Sequence, residues 1–222
     1  MQVRVKTRNK TMADLKKLNE SIISGDLDTS VQITKEALAE KTDPQEIIQK
    51  YMIPAMDVIG GKFERNEVFV PELLMAARAM KGSLDLIRPL LAERGIEPQG
   101  RVIIGTVKGD LHDIGKNLVA SMLEGSGFEV DNLGVDVPSD KIVAAVQSKK
   151  IDIVALSALL TTTMPSMKGV IEALKEAGVR DKVKVIVGGP AVTQEFCDQI
   201  GADGYSENAN GAVDLVRKLL AS

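Results

Sequence analysis

The feature that most restricts the fold is a change of hydrophobic period near residue 100. Before it, apolar residues recur at three- and four-residue steps: Leu15, Leu18, Ile22 and Ile23, then Val31, Ile33, Ala37 and Leu38, then Ile47, Ile48, Tyr51, Met52 and Met56. Breaks at Ser24-Gly25-Asp26, Thr42-Asp43-Pro44, Gly60-Gly61 and Val70-Pro71 divide this region into four short helices, with Asp43 capping a helix that begins at Pro44. The longest candidate, 71–91, can cover a broad face with Leu73, Leu74, Ala76, Ala77, Met80, Leu84 and Ile87. After the polar, turn-rich stretch 93–100 the pattern becomes short β-branched runs at 102–107, 128–133, 151–156 and 183–187, with a weak piece around Gly204-Tyr205. Amphipathic helices fit between and after them at 114–125, 139–149, 165–177, 191–200 and 208–220. Apolar strands separated by helices require a parallel sheet covered on both faces. The expected fold is therefore α/β: a four-helix bundle, then a doubly wound, flavodoxin- or Rossmann-like domain of five parallel strands. The expected boundaries are a flexible N-terminus over 1–10, a helical domain over 11–92, a linker and hinge over 93–100, and the α/β domain over 101–222.

Composition narrows the function classes. Lys and Arg total 28 against 31 Asp and Glu, aromatics are 3% and Trp is absent. Neither a basic face nor a stacking platform for nucleic acid is expected. The single Cys197 has no second thiol for an internal disulfide or a thiolate metal site, which suits a reducing, cytoplasmic setting. No apolar run has the length of a signal-peptide core or a membrane span, so no membrane association is expected. The chain also has only one histidine, His112, so any imidazole chemistry happens there.

In doubly wound sheets ligands bind outside the carboxyl ends of the strands, which directs attention to the loops after each strand. The first is Gly109-Asp110-Leu111-His112-Asp113-Ile114-Gly115. It lacks G-x-G-x-x-G and G-K-[ST], which argues against a dinucleotide or nucleotide cradle. It offers instead an imidazole flanked by carboxylates. A neutral histidine can give one ring nitrogen to a metal while the other donates to a carboxylate, and Asp110 is placed to accept. Asp110 is also a residue type that caps helices. The third loop begins Ser157-Ala158-Leu159-Leu160-Thr161-Thr162-Thr163, and the fourth strand ends in Gly188-Gly189, where missing side chains make room against backbone.

Taken together, Asp110-x-His112-x-x-Gly115, Ser157-x-Leu159 and Gly188-Gly189 resemble the signature of corrinoid-binding domains of methyltransferases and mutases. The 41 and 28 residues between the three elements also match the family pattern. Upstream, Phe69-Val70-Pro71-Glu72-Leu73 leading into Ala76-Ala77-Arg78-Ala79-Met80 looks like the helical cap over the corrin in methionine synthase and in small corrinoid proteins. The resemblance implies a cobalamin or related corrinoid bound base-off, its nucleotide tail in a deep slot and His112 as the lower axial ligand of cobalt. It further implies a proton relay through Asp110 and Ser157, coupled to ligand release as cobalt is reduced. Gly109, Asp113, Ile114, Gly115, Leu159, Gly188 and Gly189 would contact the cofactor, with Thr161, Tyr205 and Asn208 near the tail and Phe69 and Ala76 shielding the upper face.

The function so implied is a methyl carrier, with methylcobalamin and cob(I)alamin as its working forms. It would serve a donor-specific methyltransferase and a second methyltransferase acting on a folate or thiol, with a reductive activase as a further partner. Such a chain is a cofactor-carrying subunit rather than a complete enzyme. An adenosylcobalamin-binding regulator and the corrinoid subunit of a radical mutase share the cobalt motif and stand as alternatives. Met52, Met56, Met75 and Met80 are expected to fill the bundle core, and Cys197 to be a small buried apolar residue.

Overall fold

The computed structural model describes residues 13–221; the N-terminal residues 1–10, expected to be flexible, lie outside the described residues. The helical region comprises α1 (Leu15–Ile23), α2 (Leu27–Ala39), α3 (Pro44–Ile47), a π-helical segment (Ile48–Met52), α4 (Ile53–Glu64) and α5 (Val70–Glu93). Asp14 and Asp26 cap the first two helices, their side chains accepting from the backbone N–H groups of Lys17 and Thr29. Helices α3 and α4 form one run through the π segment, which accommodates Pro54. The ring has no N–H to give the Lys50 carbonyl four residues back; separately, Asn19 Nδ2 donates to the Tyr51 carbonyl at 2.8 Å.

Three local expectations fail here for tertiary reasons. Gly60 and Gly61 do not break the helix but sit inside α4. At Gly60 a Cβ would lie 2.1 Å from Asn210 Oδ1, so the glycine serves close packing between α4 and the C-terminal helix. Asp43 occupies the N-cap position of α3 without a side-chain cap, its carboxylate pairing instead with Arg94 Nη1 at 2.9 Å. Met75 is 52% exposed, whereas Met52, Met56 and Met80 are buried as expected.

The second half runs β1 (Arg101–Val107), α6 (Ile114–Gly125), β2 (Glu129–Val137), α7 (Ser139–Ser148), β3 (Ile153–Ser157), α8 (Pro165–Glu176), a 3₁₀ turn (Arg180–Lys182), β4 (Lys184–Gly188), α9 (Gln194–Ile200), β5 (Gly204–Ser206) and α10 (Ala209–Leu220). All strand pairs are parallel, in the order β2-β1-β3-β4-β5. Side chains alternate between the two faces. Val102 and Ile104 of β1, Ile153 and Ala155 of β3, and Ile186 of β4 join a core shared with α6, α10 and the helical region. Ile103, Val154, Leu156, Val185 and Val187 join a second core under α7, α8 and α9. Cys197 is buried in that second core.

The helical region is thus packed onto one helix layer of the α/β region. At Gly125 a Cβ would lie 3.0 Å from Met56 Cε and 3.4 Å from the Ala77 Cα. Polar contacts cross the same interface: Lys81 to Glu124, Arg88 to the Phe128 carbonyl, Asn210 to Glu64 and Arg217 to Asp57. Chain order reverses between β1 and β3, so the loops after those strands face each other across a crevice, the usual ligand position in such sheets.

Candidate functional site

The loop after β1 begins at Gly109, whose φ of +85° a side chain would strain. The chain then turns back so that Asp110 is buried, its side chain fully shielded, while the His112 side chain remains 54% exposed. His112 is held at three points. Its backbone N–H donates to Asp110 Oδ1 at 3.0 Å, its carbonyl accepts from Thr106 Oγ1 at 2.8 Å, and its Nδ1 lies 2.8 Å from the same Asp110 oxygen. An ionised carboxylate can only accept, so in the neutral ring the proton sits on Nδ1 and Nε2 carries the lone pair.

The other carboxylate oxygen, Oδ2, accepts from the Leu159 N–H at 2.8 Å, from Thr163 Oγ1 at 2.7 Å and, at 3.4 Å, from the Leu160 N–H. Burial pushes the Asp110 carboxyl upward. The hydrogen bonds from His112, Thr163 and Leu159 outweigh it and hold the group well below the usual carboxylate range. A buried acceptor that stays ionised at neutral pH is what fixes an imidazole tautomer.

This arrangement changes one expected role. Ser157 is not among the hydrogen-bond partners of Asp110; Thr163, six residues further on, supplies the hydroxyl. Ser157 lines the adjoining cavity, while Thr161 is exposed and outside the lining. The run Thr161-Thr162-Thr163 was the available signal, but which hydroxyl turns inward depends on the loop's fold onto Asp110. Thr163→Ala is expected to destabilise the protein by about 1–3 kcal/mol, by removing a donor to a buried charge. Ser157→Ala is expected to change stability by less than about 0.5 kcal/mol. Urea denaturation of the two variants beside wild type checks the contrast.

From His112 a cavity of about 640 Å³ runs inward between the sheet and helices α6 and α10. Its walls include Ile104, Ala155 and Ile186 from the sheet, Leu118 and Val119 from α6, and Ala209 and Ala212 from α10. Leu111, Asp113, Ile114, Gly115, Leu159, Gly188, Gly189 and Asn208 also line it. A Cβ at Gly115 would meet nothing within 4 Å. Leu111 and Ile114 are 71% and 84% exposed, apolar surface beside the imidazole that water does not favour.

The glycine pair after β4 has a different physical basis from the expected one. At Gly189, φ is +129° and a Cβ would stand 2.0 Å from the Ala158 carbonyl oxygen; at Gly188 a Cβ would be 3.1 Å from the Ser206 carbonyl oxygen. Both glycines line the cavity, but neighbouring backbone is what excludes their side chains. Gly189→Ala is expected to cost about 2–4 kcal/mol through strain and displacement of the Ala158 loop. Thermal melting beside Gly115→Ala, for which little change is expected, is the measurement.

Other expected contacts are placed differently. Tyr205 packs against the second core on the far side of the sheet, because alternation along β5 turns Ser206 rather than Tyr205 to the cavity. Gly109 lies outside the cavity lining. Ala76 is fully buried in the core shared with the bundle, and Phe69, at the N-cap of α5, is 69% exposed. Phe63 is the bundle residue that reaches the cavity wall. Asn208 caps α10, its side chain accepting from the Gly211 N–H.

Lys116, at the start of α6, was not singled out by sequence and is almost fully buried in the cavity wall. Its ammonium donates to Asn117 Oδ1 at 2.6 Å and Asn132 Oδ1 at 2.7 Å, and burial lowers its pKa. Among the described residues no cluster of three or more His, Cys, Asp or Glu side chains could hold a bare ion, so His112 offers a single ligand. No helix among them is long and apolar enough to cross a membrane.

Comparison with known proteins places the chain in a family. Residues 100–214 match a family model described as a B12 binding domain, and residues 14–88 match a second model of the same description. The trimethylamine corrinoid protein of Methanosarcina barkeri is 46% identical over 206 residues, 92% of this chain and 95% of that one. The crystal structure of the methanol:cobalamin methyltransferase complex from the same organism superposes with a TM-score of 0.83 at 31% identity, over 94% of this chain and 80% of that one. A cobalamin-binding protein from Desulfitobacterium hafniense superposes with a TM-score of 0.76 at 34% identity, over 93% and 98%. With a family model over residues 100–214 and a relative 46% identical over nearly its whole length, the chain belongs to the B12-binding corrinoid proteins.

Proposed function

We propose that this chain carries a methyl group on a corrinoid between two partner methyltransferases, one specific for a small methylated donor and one acting on a folate or thiol acceptor. The observation that carries the proposal is the half-exposed His112 ring, with Nδ1 held by fully buried Asp110, beside an apolar cavity of about 640 Å³. When bound, the corrinoid supplies a cobalt centre able to take up and release a methyl group. His112 would hold that centre through Nε2, and Asp110 would keep the ring in the tautomer that leaves Nε2 free. Thr163 and the Leu159 N–H would keep Asp110 ionised. Ile104, Ala155, Ile186, Leu118 and Ala212 would exclude water from the tail, with Ser157, Leu159 and Asn208 at the polar margin of the slot.

The relatives support the methyl-transfer reading. One is by name a trimethylamine corrinoid protein, and the methanol:cobalamin methyltransferase complex places a similar chain in an assembly of that activity. A reductive activase and a cytoplasmic location complete the proposal. The bundle would have to shift on the 93–100 hinge for a partner to reach the site, a lid-type step. Reconstitution with hydroxocobalamin, anaerobic reduction and incubation with candidate donor methyltransferases and methanol, methylamines, quaternary amines or methoxylated aromatics tests it. Donor-dependent methylation of the bound corrin, followed by transfer to a folate or thiol with a second enzyme, is expected. A skeletal-rearrangement activity with an added barrel-type subunit would overturn it.

A further inference from the structure

The end of β2 lies outside the three-part signature, yet it is the most irregular backbone next to the site. Ile104 pairs with Asn132, Gly105 with Gly134 and Val107 with Val137, so β2 carries extra residues at two places against β1. Gly134 has a φ of +93° and Asp136 a φ of +50°, a left-handed conformation that costs energy for a residue with a side chain. Bulges next to functional sites re-aim side chains. Here the outcome is specific: the Gly109 N–H donates to Asp136 Oδ1 at 2.7 Å, and the Asp136 N–H donates to the Asp110 carbonyl at 3.0 Å. The two bonds bracket the peptide of Asp110, the residue that orients His112. On the other side of the loop, Asn132 Oδ1 accepts from Lys116 Nζ, and Asn117 Nδ2 donates to Asp113 Oδ2 at 2.9 Å. The bulged end of β2 therefore bonds the His112 loop directly before the imidazole, through Asp136, and reaches helix α6 after it, through Asn132.

We propose that Asp136 is a positioning residue, whose strained backbone and carboxylate fix the Gly109–Asp110 peptide and so the tautomer and direction of the His112 ring. Its value for cobalt ligation rests on the function proposed above; its effect on the ring does not. Asp136→Gly relieves the positive φ while deleting the acceptor, so loss of the carboxylate is read without added strain. Asp136→Asn keeps an acceptor oxygen and tolerates the left-handed region.

Because His112 is the only histidine, the imidazole nitrogen signals of the uniformly ¹⁵N-labelled apo chain at alkaline pH report this one ring. Wild type and Asp136→Asn are expected to show predominantly the Nδ1–H tautomer, and Asp136→Gly a mixture. After loading the ¹⁵N-labelled chain with unlabelled cobalamin and reduction to cobalt(II), a two-line nitrogen splitting in the electron paramagnetic resonance spectrum reports ligation by His112, where the cofactor's own base would give three lines. The equilibrium for ligation is expected to fall about tenfold in Asp136→Gly and to recover in Asp136→Asn. A wild-type tautomer and undiminished ligation in Asp136→Gly would overturn the proposal. If the tautomer shifts but none of the three proteins retains corrin, the positioning role stands and the cobalt assignment fails. Should Asp136→Gly not fold, hydrogen exchange on wild type decides: a protected Gly109 amide supports the brace, and exchange at the rate of an open loop refutes it.

Discussion

His112→Ala is expected to abolish nitrogen ligation of a bound corrin without unfolding the chain. The chain has no second histidine to replace the ring. The backbone bonds that hold the residue, from its N–H to Asp110 and from Thr106 to its carbonyl, survive truncation at Cβ. The side chain is more than half exposed, so its removal leaves little cavity, and the cost to stability should be about 1 kcal/mol, the loss of one hydrogen bond to Asp110. The slot for the tail is untouched, so some corrin should still be retained. Anaerobic reconstitution with hydroxo- or methylcobalamin, removal of free cofactor and ultraviolet–visible spectra beside wild type make the comparison. With a corrinoid that lacks a benzimidazole base, a nitrogen-ligated spectrum that persists in the variant would exclude His112 as the ligand.

Asp110→Asn is expected to be strongly destabilising, on a par with Gly189→Ala. The carboxylate offers two acceptor oxygens, Oδ1 to the backbone and ring of His112 and Oδ2 to Leu159, Leu160 and Thr163. An amide has one oxygen, so its NH₂ must face either the His112 donors or the Leu159 N–H. The Thr163 hydroxyl can turn to accept, but a backbone N–H cannot. One buried donor facing another, with the charge lost as well, should cost about 2–4 kcal/mol. The pH dependence gives an independent check. The folded-state pKa of Asp110 is depressed, so its stabilising contribution is complete above the unfolded value near about 3.9 and is lost as pH falls below it toward the folded value. The gap in unfolding free energy between wild type and variant should be constant from neutral pH down to mildly acidic pH and narrow only below about 4. A gap that closed between pH 5 and 7 would show that another group carries the effect.

The two variants separate roles that one spectrum would merge. His112→Ala removes the ligand and leaves its scaffold, whereas Asp110→Asn leaves the ligand and loosens the scaffold. If Asp110 acts by fixing the tautomer, its variant should retain an imidazole-ligated form in reduced proportion, with metal affinity or activity lowered about 10- to 100-fold.

The sequence alone determined the change from a 3.6-residue period to alternating strands and helices, and with it the bundle, the five parallel strands and the loops where a ligand must bind. Those features are local: a β-branched run bounded by turns, or an apolar stripe, names its own element and its own buried face. His112 and Asp110 were legible for the same reason, being two residues apart in one loop. What only the tertiary structure decided involves partners brought together across the sheet. Thr163 rather than Ser157 completes the Asp110 site because the β3 loop folds its third threonine inward, 53 residues along the chain from the carboxylate it binds. Tyr205 turns away from the slot, and Ala76 is closed into the bundle core. Gly60 continues a helix instead of ending it, because Asn210 of α10 lies against it. The strained end of β2 was invisible as well: Asp136 reads as an ordinary polar residue before Pro138, and it takes a left-handed backbone only because two bulges against β1 aim its carboxylate at Gly109. Periodicity specifies which face a residue shows, but the group it meets there is set by strand order and register.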